Sequence, residues 1–160
     1  MMPNDNHLIG WLTLYHAPSI SPWQLFQLWT DHRYPSNIIE HLLALPTLPE
    51  KTRHALLHPP TKVITEQINW QQHSNHYIVT LNSSYYPKPL KFIHTPPPIL
   101  FLKGNPNLLA EPQIAVVGSR KASPIGLKNA HNLAFELSQQ DLVVTSGLAL
   151  GIDTAAHHGA

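Results

Sequence analysis

Two short segments hold the residue types best suited to chemistry, and that chemistry is anion binding. The first is Gly118-Ser119-Arg120-Lys121-Ala122-Ser123, which follows the apolar run Ile114-Ala115-Val116-Val117. Glycine lets backbone approach a ligand closely, and Arg120 brings a planar donor fork that matches phosphate oxygens. Ser123 before Pro124 reads as a helix start, whose unpaired amides and positive dipole end also favour an anion. The second segment is Ser146-Gly147-Leu148-Ala149-Leu150-Gly151-Ile152-Asp153, again after an apolar run, Leu142-Val143-Val144-Thr145. Its glycines are spaced Gly-x-x-x-Gly, which is not the dinucleotide fingerprint, so no nicotinamide or other cofactor is expected.

Other chemistries are weaker. Ser146, Asp153 and His157 supply the residue types of a hydrolytic triad. Asp153 and His157 are four apart at a helix start, however, where an acid complements the dipole, and Ser146 lacks the nucleophile-elbow glycines. Twelve histidines invite a metal, but His73/His76 and His157/His158 have no third ligand at motif spacing, so no metal site is expected. With no cysteine in the chain, thiolate zinc sites, disulfides and cysteine nucleophiles are excluded, in keeping with a reducing cytoplasmic location. Trp11, Trp23, Trp29 and Trp70 fall where a helical core would use them.

The elements that must position the loops follow from periodicity. Ile114–Val117 reads as a buried parallel strand. From Pro124, Leu127, Ala130, Leu133, Ala134 and Leu137 recur on one helical face, and Leu142–Thr145 is the second strand. This is one βαβ unit, residues 114–160, with both loops side by side at the carboxyl ends of the strands. Residues 1–72 carry apolar residues at helical spacing broken by prolines, with helix starts expected at Ser21, Ser36 and Thr47-Leu48-Pro49-Glu50. Residues 73–113 form a connector with the first strands leading into the sheet, Tyr77–Leu81 and Ile99–Leu102. The 160 residues are 42% hydrophobic, enough for a real core. The start, Met1 to Ile9, lacks the pattern of a secretory signal, and no apolar stretch is long enough to span a bilayer. The net charge is only +1, yet Lys88, Lys91, Lys103, Arg120, Lys121 and Lys128 lie in a stretch whose single acid is Glu111. That local excess suits a phosphate-bearing partner.

The runs Tyr86-Pro87-Lys88-Pro89-Leu90, Pro98-Ile99-Leu100-Phe101-Leu102-Lys103-Gly104, Ala115-Val116-Val117-Gly118-Ser119-Arg120 and Ser146–Asp153 with Ala155-Ala156-His157-His158-Gly159-Ala160 resemble the DNA-processing protein A (DprA/Smf) family. The resemblance implies an α/β chain in which a small helical domain, SAM-like or helix-hairpin-helix-like, precedes a Rossmann-like parallel sheet that is incomplete at Ala160. An incomplete sheet would leave apolar surface exposed. Where a DNA-binding hairpin would carry Gly-hydrophobic-Gly, this chain has Pro18-Ser19-Ile20-Ser21, so packing or protein interaction suits the helical domain at least as well. The resemblance further implies a single-stranded DNA binder without catalytic turnover that assists a RecA-type recombinase in natural transformation and self-associates as a homodimer. By match to the motifs, Gly118, Ser119, Arg120, Lys121, Ser146, Gly147 and Gly151 would contact DNA phosphates. An alternative of another class is a phosphoribohydrolase-like nucleotide enzyme of related fold, and a third is an inert fragment.

Overall fold

The computed structural model describes residues 3–160, with side chains from Asn6 onward. Met1 and Met2, at the head of the stretch read for a targeting signal, lie outside the described residues. Two compact units result, Met1–Leu109 and Ala110–Ala160. Among the described residues no helix is long and apolar enough to cross a membrane.

The first unit opens with α1 (Pro3–His16), α2 (Pro22–His32), α3 (Pro35–Ala44), α4 (Glu50–Leu57) and α5 (Thr61–Gln71). Ser21 caps α2 as expected: its Oγ accepts from the Gln24 amide at 3.2 Å, and the Gln24 side chain accepts from the Ser21 amide at 2.8 Å. Helices also begin at the other two expected places, but the side-chain caps expected from Ser36 and Thr47 do not form. Pro35, with its preset φ, begins α3 one residue earlier behind Tyr34. Pro49 takes the cap position of α4, which leaves Thr47 in the preceding turn. Arg53 closes that turn, its guanidinium donating to the carbonyls of Leu43 and Leu45 at 2.7 and 2.8 Å.

Trp11, Leu12, Leu14, Ile38, Val79 and Leu81 are the heart of the core, and Trp29 is buried with them. Trp23, expected in that core, is instead 40% exposed and stacks on His94 with ring centroids 5.8 Å apart. The buried stripe of α2 runs through Leu25 and Trp29, four apart, and Trp23 falls off that line. Trp70 is half-buried against the edges of His76 and Phe101.

Strands β1 (His76–Thr80) and β2 (Ile99–Lys103) do not lead into the parallel sheet. They pair with each other, antiparallel, with Ile78 opposite Phe101. The hairpin is fixed at one end by the Gly104 amide, which donates to the Asn75 carbonyl at 2.8 Å, and both residues have positive φ. Val79, Leu81 and Ile99 are drawn into the helical core, so these strands belong to the first unit.

The second unit is the expected βαβ arrangement: β3 (Gln113–Ala115), α6 (Pro124–Ser138), β4 (Val143–Thr145) and a following α7 (Ile152–Gly159). β3 and β4 are parallel, with Ile114 beside Val144. The core is small: Val116, Ala134, Val144 and Ala156, with Leu137 and Ile152 packed against it. Helices α6 and α7 approach closely through small residues; a Cβ on Gly159 would collide with the His131 carbonyl. Several expectations of burial are corrected: of the run Ile114–Val117 only Val116 is buried, with Ala115 exposed and Val117 75% exposed. Ile114 is 37% exposed, because among the described residues β3 has a neighbour on one edge only. Leu133 is exposed because the close contact of α6 runs along Ala130 and Ala134.

Candidate nucleic-acid interface

Parallel pairing of β3 and β4 sends both glycine-bearing loops out of the same edge of the sheet, where α/β folds bind ligands. The loops are tied together. The Val116 amide continues the ladder to the Thr145 carbonyl at 2.9 Å, and Ser146 Oγ donates to the Val116 carbonyl at 2.7 Å. Farther out, the Ile152 amide donates to the Ser119 carbonyl at 3.2 Å. Two glycines permit this closeness. A Cβ on Gly118 would stand 2.6 Å from Ile152 Cγ1. Gly151 has φ +88°, and a Cβ there would strike the Ser119 carbonyl oxygen and come within 2.8 Å of Arg120 Cα. Both glycines therefore serve loop-to-loop packing, whatever ligand the loops take.

The second loop is braced from inside. Asp153, only 7% exposed, directs Oδ2 at the amides of Gly147 and Ala149, at 3.1 and 3.4 Å. Thr154 holds the Ala149 carbonyl through both its amide and its hydroxyl, at 3.2 and 2.7 Å. Leu148 turns the tip with φ 56° and stays exposed. Sequence reasoning assigned Asp153 to the helix dipole and missed the brace; the available signal was an acid just after a glycine-containing loop.

These bonds divide the candidate residues. The Ser146 hydroxyl hydrogen and the Gly147 amide are engaged within the protein, so in this arrangement they shape the loop and do not face a ligand as donors. Gly118 and Gly151 are packing positions. What faces outward is Ser119, whose Oγ accepts from the Lys121 amide at 3.1 Å, together with the exposed side chains of Arg120 and Lys121. No carboxylate pairs with either cation among the described residues. Ser123 caps α6 by accepting from the Gly126 amide at 3.2 Å, which sets the helix's positive end behind this loop. Arg120 also walls an open cleft of about 380 Å3 shared with Leu127, Leu150, Thr154 and His158. His158 was visible in the sequence as half of a histidine pair and within the family-like segment, with no role assigned to it.

The triad alternative loses its geometry here, since Ser146 donates to a backbone carbonyl and Asp153 accepts from backbone amides. Among the described residues no group of three or more His, Cys, Asp or Glu is placed to hold a metal ion.

Comparison with known proteins follows the same outline. DNA processing protein DprA of Streptococcus pneumoniae (strain ATCC BAA-255 / R6) is 49% identical over 75 residues, which are 47% of this chain and 26% of that protein. Protein Smf of Escherichia coli (strain K12) is 36% identical over 101 residues, 63% of this chain and 27% of that one. The chain thus spans about a quarter of the length of these curated relatives. The X-ray structure of DNA processing protein A from Streptococcus pneumoniae superposes with a TM-score of 0.72 at 27% identity, covering 92% of this chain and 51% of that one. The profile of the DNA recombination-mediator protein A family matches residues 77–160, a segment that takes in all but the first residue of β1, the whole of β2 and both interlocked loops, and the chain belongs to that family.

Proposed function

We propose that this chain is a single-stranded DNA-binding part of a DNA-processing protein, and that it holds the strand by its phosphates and passes it to a RecA-type recombinase during transformation and recombination. The observation that carries the reading is the pair of interlocked loops on one sheet edge, with Arg120 and Lys121 exposed and unpaired in front of a capped helix start. Unpaired cations in front of a helix's positive end suit a polyanion whose bases are not read, so binding tolerates sequence. The reading is of a binding protein and not an enzyme. The carboxylate of Asp153 and the hydroxyl of Ser146, the groups a hydrolase would use, are occupied in shaping the loop. Self-association and action in the cytoplasm accompany the reading through the family.

The test is a fluorescence-anisotropy titration of labelled oligothymidine at low and moderate salt. Binding should weaken as salt rises, and Arg120→Ala should weaken it for every strand sequence and lower the salt slope by about 0.7, the value for one phosphate contact on a single strand. Equal affinity and equal slope for the wild type and Arg120→Ala would remove the loops from the DNA site.

A further inference from the structure

The first unit holds a second group of cations that the loops do not account for. Lys88 and Lys91 lie in a 3-10 helix, Lys88–Phe92, where residues three apart share a face. The Lys91 ammonium sits 4.6 Å from the centre of the Trp29 ring and 5.4 Å from that of Tyr86, and donates to the Leu81 carbonyl at 3.3 Å. The Arg33 guanidinium lies over the same Trp29 ring at 4.9 Å. Arg33 is held there by its backbone. It ends α2 with φ 64°, its amide donates to the Trp29 carbonyl, and its own carbonyl accepts from Asn82 at 3.0 Å. Asn82 is in turn fixed by the buried Trp11 indole at 3.1 Å.

Cations gathered in this way repel one another. Burial, then Arg33 and then Lys88, hold the Lys91 ammonium below the usual lysine range. The faces of Trp29 and Tyr86 offset part of that repulsion. No carboxylate pairs with Arg33, Lys88 or Lys91 among the described residues. An ordinary solvated lysine face would leave its ammonium groups in water, whereas Lys91 is half-buried on two rings. Beside it Phe92 is 88% exposed, a large aromatic face that the described chain leaves uncovered. Cations for phosphates beside an open aromatic for a base is the combination that single-stranded nucleic acid binds.

We propose that Arg33, Lys88 and Lys91 form a second contact for single-stranded DNA, taking successive phosphates while Phe92 stacks a base. The proposal rests on the reading of the chain as a single-strand binder, but it shares no residue with the two loops, so each can fail without the other.

The experiment uses the full chain, labelled oligothymidine and a salt series. Arg33→Gln with Lys88→Gln should lower the salt slope by about 1.4, twice the single-strand value per phosphate, so that between about 50 and 200 mM salt the variant loses about sevenfold less affinity than the wild type. Lys88→Gln alone, an exposed side chain, should give half that slope change, which keeps the test valid if the double variant folds poorly. Phe92→Ala should weaken binding at least about fivefold with the slope unchanged. Lys62→Gln, which removes an exposed charge from α5, should change neither. Unchanged slope and affinity in the Lys88 and Phe92 variants overturn the proposal, as does an equal slope change from Lys62→Gln, which would indicate only a general charge effect. If Arg120→Ala is silent while the Lys88 and Phe92 variants respond, the patch stands and the loops fall. The reverse pattern retires the patch alone, and absence of binding by the folded wild type at low salt retires both.

Discussion

Gly151→Ala should selectively undo the second unit. The backbone at Gly151, φ 88° and ψ −128°, mirrors the extended conformation of other residues, and forcing a side chain to adopt it costs about 1–3 kcal/mol. The added Cβ would overlap the Ser119 carbonyl oxygen and stand 2.8 Å from both Cα and C of Arg120, so the first loop must retreat. Retreat breaks the 3.2 Å bond from the Ile152 amide to Ser119, worth about 1 kcal/mol. Together these come to about 3 kcal/mol, or about a hundredfold in an opening equilibrium. Hydrogen exchange read by peptide is the suitable assay, because it reports each of the two compact units by itself. Peptides from Ala110–Ala160 should exchange about a hundredfold faster, or lose protection altogether, while those from Met1–Leu109 stay unchanged. Gly126→Ala is the counterpart in the same unit. A Cβ there meets Ser123 Oγ at 3.4 Å, an ordinary contact, and the first turn of α6 should gain about 0.5–1 kcal/mol from alanine. Equal effects of the two substitutions, in sign and size, would refute the claim that the loops interlock through Gly151.

Asp153→Ala leaves the amides of Gly147 and Ala149 without their acceptor and should destabilise the second unit by about 2–3 kcal/mol, with Asp153→Asn recovering part of the loss; urea unfolding of both variants checks the order. With so few residues in its core, the second unit of the wild type should exchange its amides faster than the first, and equal protection would contradict the core assignment. Ser21→Ala should cost about 1 kcal/mol through the lost α2 cap, read from thermal unfolding of the first unit. Tyr86, whose hydroxyl donates to the Pro97 carbonyl at 2.8 Å, has its phenol pushed up to about 12 by burial. The unfolded chain gives up that proton near pH 10 and the folded chain holds it, so this contribution to stability is complete below pH 10 and fades as pH rises toward 12. A phenolate absorbance titration should show one late step that Tyr86→Phe removes, and simultaneous ionisation of all five tyrosines would count against it.

Much of this molecule is written locally. Helix spacing, the Ser21 and Ser123 caps, the strand-loop-helix order around Gly118 and Gly151, and the family motifs are set by neighbours within a few residues, where steric and hydrogen-bond preferences act directly. Tertiary structure decided what depends on a partner distant in sequence. Strands β1 and β2 read like members of the sheet, but burial of Val79, Leu81 and Ile99 among the helices drew them into the first unit. The roles of Ser146 and Gly147 changed because the Val116 carbonyl and the Asp153 carboxylate accept their hydrogens, and the buried Asp153 must find its donors wherever the fold supplies them. Arg33 and Lys91 are 58 residues apart and meet only because each settles on the ring of Trp29, a charge arrangement that composition and spacing do not encode.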